Sequence, residues 1–210
     1  MKRSVVITLC AALLLGVFLI NAVAMYSEVK AAEEFDTVAA LTGEGDRLPV
    51  ALSAIYKRAG DLVLSLPYAS VTLTQTAITK VYAGDTDALL YLNTHADGEL
   101  GNAYDTMQDI LNDFDTLLNT YKVPTGSSYR DSRAKLGTIF TGLKTAATEL
   151  VRRTRTFISN WESGYDNYYT AYCEQLQIMS EKLESAATTI GNEYDSLIKD
   201  LLGEDYELTV

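Results

Sequence analysis

Few residues of the types that carry out chemistry occur in this chain, and they form no catalytic or metal-binding pattern. His95 is the only histidine, and its polar, turn-forming neighbours indicate exposed surface rather than a general base. A zinc site needs several Cys or His ligands in a cluster, and a calcium loop needs six or more oxygens around a turn. The sequence has neither arrangement. We therefore expect a protein that is not an enzyme and that uses no metal and no cofactor.

Two pairs of aspartates could at most bind a cation weakly, namely Asp85 with Asp87 and Asp113 with Asp115. The second pair falls on a segment with helical periodicity, where a solvated acidic face is the more frequent explanation. We therefore assign no site to either pair.

The one basic cluster of this acidic chain consists of Arg152, Arg153 and Arg155. Its functional interpretation is a docking patch for an acidic partner or a lipid headgroup. The alternative is ion pairing with the acidic face 105–115 of a neighbouring helix, and we favour that alternative.

Aromatic residues are concentrated shortly after this cluster, in a chain that contains 14 tyrosines. Most of them continue a helical apolar stripe, which favours core packing, whereas Tyr169 falls off the stripe. An exposed aromatic strip beside polar residues would suit a protein-binding or glycan-binding surface. The candidate interaction surface comprises the aromatic residues and the three arginines: Trp161, Tyr165, Tyr168, Tyr169, Tyr172, Arg152, Arg153 and Arg155.

The beginning of the chain predicts a membrane segment. Met1-Lys2-Arg3 precedes an apolar run from Val5 to Met25, which as a helix would rise about 30 Å, the thickness of a bilayer core. We favour an uncleaved anchor over residues 1–25; the alternative is a cleaved signal peptide, with Ala22-Val23-Ala24 as its cleavage site. Because basic residues tend to stay cytoplasmic, we expect a single pass through the cytoplasmic membrane with the rest of the chain extracytoplasmic.

The composition argues against some partners and against a disulfide framework. A net charge of −11 would repel phosphate, so we expect no nucleic-acid partner. The two cysteines are Cys10, inside the apolar run, and Cys173, which we expect to be a small buried residue. The exported part therefore cannot form an intramolecular disulfide and must be stabilised by packing.

Apolar residues recur at helical spacing through most of the remaining chain. Leu48-Pro49 predicts a helix start, because proline is favoured in a first turn. The clearest stripe follows the turn-forming pair Asp97-Gly98 and has alternating steps of four and three residues. It ends before a loop that contains Pro124, after which Ser127 or Ser128 can cap the next helix. The stripe comprises Leu100, Tyr104, Met107, Leu111, Phe114, Leu118 and Tyr121.

The last third of the chain carries the same periodicity without an interrupting proline. Residues 129–202 are therefore either one very long helix or two helices that are broken near Gly164. We favour one long, bent helix because the stripe is continuous. The chain thus predicts an all-α, elongated antiparallel bundle of four or five long helices, the first continuous with the anchor. Its predicted divisions are 1–25 (anchor or signal peptide), 26–203 (bundle) and 204–210 (acidic tail).

One stretch of the helix that is predicted to start at Leu48-Pro49 is similar to a known family. The segment 57–66 (KRAGDLVLSL) resembles the KRRADLIPNL motif of the LemA family, with the Lys, Arg, Asp, Leu and final Leu in register. Tyr26 with Val29 resembles the YNxLV of that family, and 117–121 before a proline-containing loop resembles its LxxLxxxYP. The stretch 152–172 is similar to its ARRDYNxxVxxYN ending. The resemblance implies a membrane-anchored helical scaffold without an established chemistry.

These features together predict a membrane-anchored, LemA-like helical bundle that acts as a non-enzymatic scaffold or protein-interaction module. Its protein partner is unknown, and homo-oligomerisation would fit its helical stripes. The alternative is a secreted or ectodomain bundle, with a cleaved signal peptide, that binds a ligand or assembles as a filament or surface subunit.

Overall fold

Four long α-helices make up the described part of the chain. The computed structural model describes residues 47–162 and 165–202, in which the helices are α1 (Arg47–Tyr82), α2 (Ala88–Thr120), α3 (Ser128–Ser159) and α4 (Tyr165–Leu202). These residues contain no β-strand, so the all-α prediction is confirmed for them. None of these helices is long and apolar enough to cross a membrane.

Three predictions concern the ends of the chain. The membrane segment 1–25, its continuity with the first helix and the acidic tail 204–210 lie outside the described residues.

Successive helices run antiparallel and form an elongated bundle. Each helix is 32 to 38 residues long, which corresponds to about 50 Å. The helix α1 packs against all three others, whereas α2 and α4 lie diagonally opposite each other. We call the end with the start of α1 and the last described turn of α4 the entry end. The opposite end, with the α1–α2 connection 83–87, is the distal end.

The helices form where the apolar stripes predict them. In α2 the stripe residues Leu100, Met107, Phe114 and Leu118 are buried. The helix nevertheless begins earlier than its clearest stripe, at Ala88, and continues through the turn-forming pair at 97–98. Leu92 and Ala96 are buried in this first part of α2 and supply the packing that extends the helix over the glycine.

Two predicted helix starts are correct in position. Pro49 lies in the first turn of α1, as its sequence context predicted. Ser127 occupies the N-cap position of α3 with extended backbone angles, although its hydroxyl makes no capping hydrogen bond. The chain reverses before α3 through Lys122 and Gly126, which both have positive φ angles of 50° and 80°.

The favoured single helix over 129–202 is wrong, because the chain breaks into α3 and α4. The amide of Asn160 donates to the carbonyl oxygens of Thr156 and Phe157, and this bond pattern closes the last turn of α3. Folding back buries both halves of the continuous stripe against each other and against α1. One straight helix would leave half of that stripe in water.

Candidate functional site

The aromatic residues of the distal end form a ladder of rings that joins three helices. The Trp161 ring lies edge-on to Tyr82 at the end of α1, with ring centroids 4.4 Å apart, and to Phe157 at 5.4 Å. From Phe157 the ladder continues to Tyr169 at 5.9 Å and from there to Tyr172 at 6.4 Å, both on α4. Such edge-to-face and tilted pairs are favourable geometries for aromatic rings.

The predicted aromatic surface is therefore brought together, but its members differ in exposure. Trp161, Tyr168 and Tyr169 are half-buried, whereas only 4 % of Tyr172 is exposed. The side chain of Tyr165 lies outside the described part of the structure. The prediction that Tyr169 falls off the packed stripe was wrong, because its ring packs against Phe157.

Tyr172 belongs to the core rather than to an accessible surface. Its hydroxyl lies 3.5 Å from the hydroxyl of Thr74 on α1, and Thr74 is itself fully buried. Burial raises the pKa of Tyr172, so the phenol stays protonated, and its contribution is to helix packing.

Sequence patterns did not assign Tyr82 and Phe157 to this site. Both were recognisable as apolar residues on helix faces. Phe157 precedes Trp161 by four residues, whereas the contact of Tyr82 with Trp161 depends on two helix ends lying at the same end of the bundle. The alternation of helix directions in an antiparallel bundle is the signal that could have found them.

The arginine cluster lies on the last turns of α3, at the same end of the bundle. Arg152 donates two hydrogen bonds of 2.6 Å to the Glu149 carboxylate, and Arg153 donates one of 2.7 Å. These bonds, with Arg152 the stronger influence, lower the pKa of Glu149 to about 2. The Nε of Arg155 donates instead to the amide oxygen of Asn93 on α2, at 2.9 Å.

The favoured pairing of these arginines with the acidic face 105–115 is therefore wrong. The antiparallel register places Arg155 level with Asn93, near the start of α2. The acidic face lies farther towards the entry end, where Asp113 pairs with Arg58 of α1. Asp115 pairs there with Arg133, at 2.6 Å. Within the described residues Arg155 has a neutral hydrogen-bond partner and keeps its positive charge uncompensated by a carboxylate.

A third group of residues lies at the first turns of α2, beside the α1–α2 connection. The ammonium of Lys80 pairs with Asp85 at 2.8 Å and lies 5.3 Å from the centre of the Tyr91 ring. His95 is exposed, as predicted, and its ring stacks on Tyr91 with centroids 4.2 Å apart. Leu90 is the most exposed large apolar side chain described, with 65 % of its surface accessible. The distal end thus combines aromatic rings, an exposed aliphatic side chain and cationic groups.

Other predicted features occupy ordinary surface or core positions. Cys173 is half-buried in α4, slightly more exposed than expected. Asp113 is exposed and Asp115 half-buried, which fits the acidic face predicted for them. Among the residues that the structure describes, no group of three or more His, Cys, Asp or Glu side chains could hold a metal ion. The arrangement at the distal end is suited to recognition through aromatic and guanidinium contacts.

Comparison with known proteins yields no matching family model, no similar curated protein and no similar solved structure.

Proposed function

We propose that this protein is a membrane-anchored, LemA-like helical bundle that binds a protein partner through its distal end and catalyses no reaction. The observation that carries the proposal is the position of the aromatic ladder and the arginine cluster. Both lie at the end of the bundle that is opposite to the start of α1. A chain anchored through residues 5–25 would hold the entry end nearer the membrane and direct the distal end away from it.

The predicted orientation in the membrane rests on charge. Lys2 and Arg3 precede the apolar run, and Glu28, Glu33 and Glu34 follow it, a pattern that favours an extracytoplasmic bundle. The bundle would then stand on the outer face of the cytoplasmic membrane, with its distal end about 50 Å from its entry end.

The composition of the distal end supports a protein partner with acidic groups. Tryptophan, tyrosine and arginine are the residues that most often dominate binding energy at protein interfaces. Trp161 and Tyr168 are half-exposed there, and Arg155 offers a guanidinium group without a carboxylate partner in the described residues. A partner that presents carboxylates beside apolar groups would match this surface.

Protease digestion of intact cells and of inverted membrane vesicles tests the anchor and its orientation. A tag after residue 210 reports the fate of the bundle, and the mature length is read on the same gel. Digestion in intact cells at full length would support the proposal. Digestion only in inverted vesicles would place the bundle in the cytoplasm. A soluble product that lacks about 24 residues would favour the secreted alternative.

Photo-crosslinking in living cells tests the distal end as the binding surface. A photoreactive amino acid replaces Tyr168 in one variant and Tyr121, an exposed residue at the entry end, in the control. We expect a discrete crosslinked product only from position 168, and Arg155→Glu should reduce its yield. Equal products from both positions, or no dependence on Arg155, would contradict the proposed surface.

A further inference from the structure

A shallow groove of about 390 Å³ runs between α3 and α4 on the outside of the bundle. Its floor consists mainly of small side chains, which would let another helix approach closely. Ile178 is 42 % exposed and lies one helical turn before Lys182 on α4. It therefore adds an exposed apolar side chain beside the groove. The floor includes Ala134, Thr138, Gly142, Ser185 and Ala186.

Lys182 supplies a positive charge at this groove. It is exposed, and a Cβ atom added to Gly142 would lie 3.9 Å from its Cδ, so its stem passes over that glycine. No ion pair of the described residues involves Lys182, whereas Lys135, farther towards the entry end, pairs with Glu193.

The complementary charge is found on another face of the same molecule. Asp105 and Asp109 lie four residues apart on α2, on the side opposite the buried Ile110 and Phe114. Both aspartates are exposed, and neither takes part in an ion pair within the described ranges. They therefore present an acidic stripe that points away from their own bundle.

The groove and the acidic stripe lie at the same level along the bundle. Next to Asp105, the Tyr104 hydroxyl lies 3.0 Å from the Thr148 hydroxyl and 3.4 Å from the Lys144 carbonyl of α3. One turn farther along α2, Asp109 is thus level with about residues 139–144 of α3. This is the level of Gly142, over which Lys182 lies.

We propose that a second copy of this chain occupies the groove, with the outer face of α2 from one copy against α3 and α4 of its neighbour. Lys182 then pairs with Asp105 and Asp109 of the adjacent copy. The contact requires parallel copies, and it rests on the proposed function because a shared membrane anchor holds copies parallel and at high effective concentration. Its two faces differ, so each copy can contact a neighbour on either side and form rows or rings.

Resonance energy transfer between full-length copies in lipid vesicles tests this contact. Donor and acceptor labels are carried on tags after residue 210, and flotation of the vesicles first establishes whether the chain is membrane-bound. We expect Lys182→Glu to weaken association about tenfold, and the double change Asp105→Lys/Asp109→Lys to do the same. The combined charge-reversed protein should recover association. Lys57→Glu and Asp61→Lys change exposed charges on α1, outside the two faces, and serve as controls.

The possible results separate this contact from the anchor. If the chain floats but shows no transfer, or if reversal of Lys182 has no more effect than the controls, the contact is refuted. The contact is also refuted if the combined charge-reversed protein does not recover association. If the chain does not float, the anchor fails, and sedimentation of the same full-length variants in solution then decides. Charge-dependent loss and recovery there would support the contact, and a monomeric wild type would overturn it.

Discussion

The indole ring of Trp161 lies edge-on against the phenol ring of Tyr82, with centroids 4.4 Å apart and ring planes at 86°. This pair joins the last residue of α1 to the residues that follow α3. Because Trp161 also contacts Phe157, the pair fixes the direction in which the chain leaves α3. The residues proposed to bind a partner are therefore also residues that hold the distal end together.

Replacing Trp161 with alanine should lower the free energy of unfolding by about 2–3 kcal/mol, because two ring contacts and half-buried apolar surface are lost. Urea unfolding of the full chain in detergent, followed by circular dichroism, measures this change. Tyr68→Ala is a matched control on α1, since 58 % of Tyr68 is exposed and its loss should cost less than about 0.5 kcal/mol. Equal effects of the two changes would show that the ladder is not structural.

The apolar stripes predicted the buried face of the helices well. Leu136, Phe140, Leu143 and Leu150 repeat at helical spacing, and all four are buried. Such a pattern depends on the local period of one helix and so can be read from a single sequence. The break between α3 and α4 could not be read in this way, because the apolar stripe continues through both helices. The break is favoured only by the tertiary packing of α3 and α4 against each other and against α1.

The arginine cluster shows which contacts depend on local spacing and which on helix register. Glu149 precedes Arg152 and Arg153 by three and four residues, so their ion pairs could have been predicted from helical geometry. The pairing of Arg155 with Asn93 depends on how far α2 and α3 are shifted past each other. Neither helix encodes that shift by itself.

The depressed pKa of Glu149 predicts a specific loss of stability in acid. Its pKa is about 2 in the folded protein, against an ordinary value of 4.5. The stabilisation is therefore fully present above about pH 4.5 and is lost as the pH falls towards 2. Glu149→Gln should lower stability slightly at neutral pH, since ion pairs that are partly open to solvent contribute little. The difference in unfolding free energy between this variant and the wild type should shrink as the pH falls from about 4.5 towards 2.

Urea unfolding at a series of pH values measures this difference, and Glu181→Gln is its control. Glu181 is exposed and its hydrogen bond is with the uncharged Gln177, so its substitution removes a carboxylate without breaking an ion pair. A Glu149→Gln variant with the same acid dependence as wild type would contradict the ion pairs.

Replacing two glycines with alanine should change the free energy of unfolding in opposite directions. Gly98 lies inside α2 with no atom within 4 Å of an added Cβ, so Gly98→Ala should stabilise the protein by about 0.5–1 kcal/mol. Gly126 has equal space but a φ angle of 80°, which disfavours residues with a Cβ. Gly126→Ala should therefore destabilise the protein by about 1 kcal/mol. Thermal unfolding compares the two variants, and a stabilising Gly126→Ala would show that this turn does not require the left-handed conformation.

Ser132 and Glu193 should form the strongest polar link between α3 and α4. The buried Ser132 hydroxyl donates to the Glu193 carboxylate at 2.6 Å, and Lys135 donates to its other oxygen. Burial opposes ionisation of Glu193, but these two donors outweigh it and hold its pKa below the usual value. Ser132→Ala should therefore cost about 1–2 kcal/mol of unfolding free energy and raise the pKa of Glu193.

Removing the Ser132 hydroxyl should also shift acid unfolding to higher pH, because Glu193 would accept its proton sooner as the pH falls. Ser128→Ala provides the comparison on the same helix, where an exposed hydroxyl donates to Asp200 at 3.0 Å. Water replaces that bond readily, so its loss should change stability by less than about 0.5 kcal/mol. Equal losses in both variants, without a shift in the acid transition, would mean that Glu193 does not depend on Ser132 for its charge.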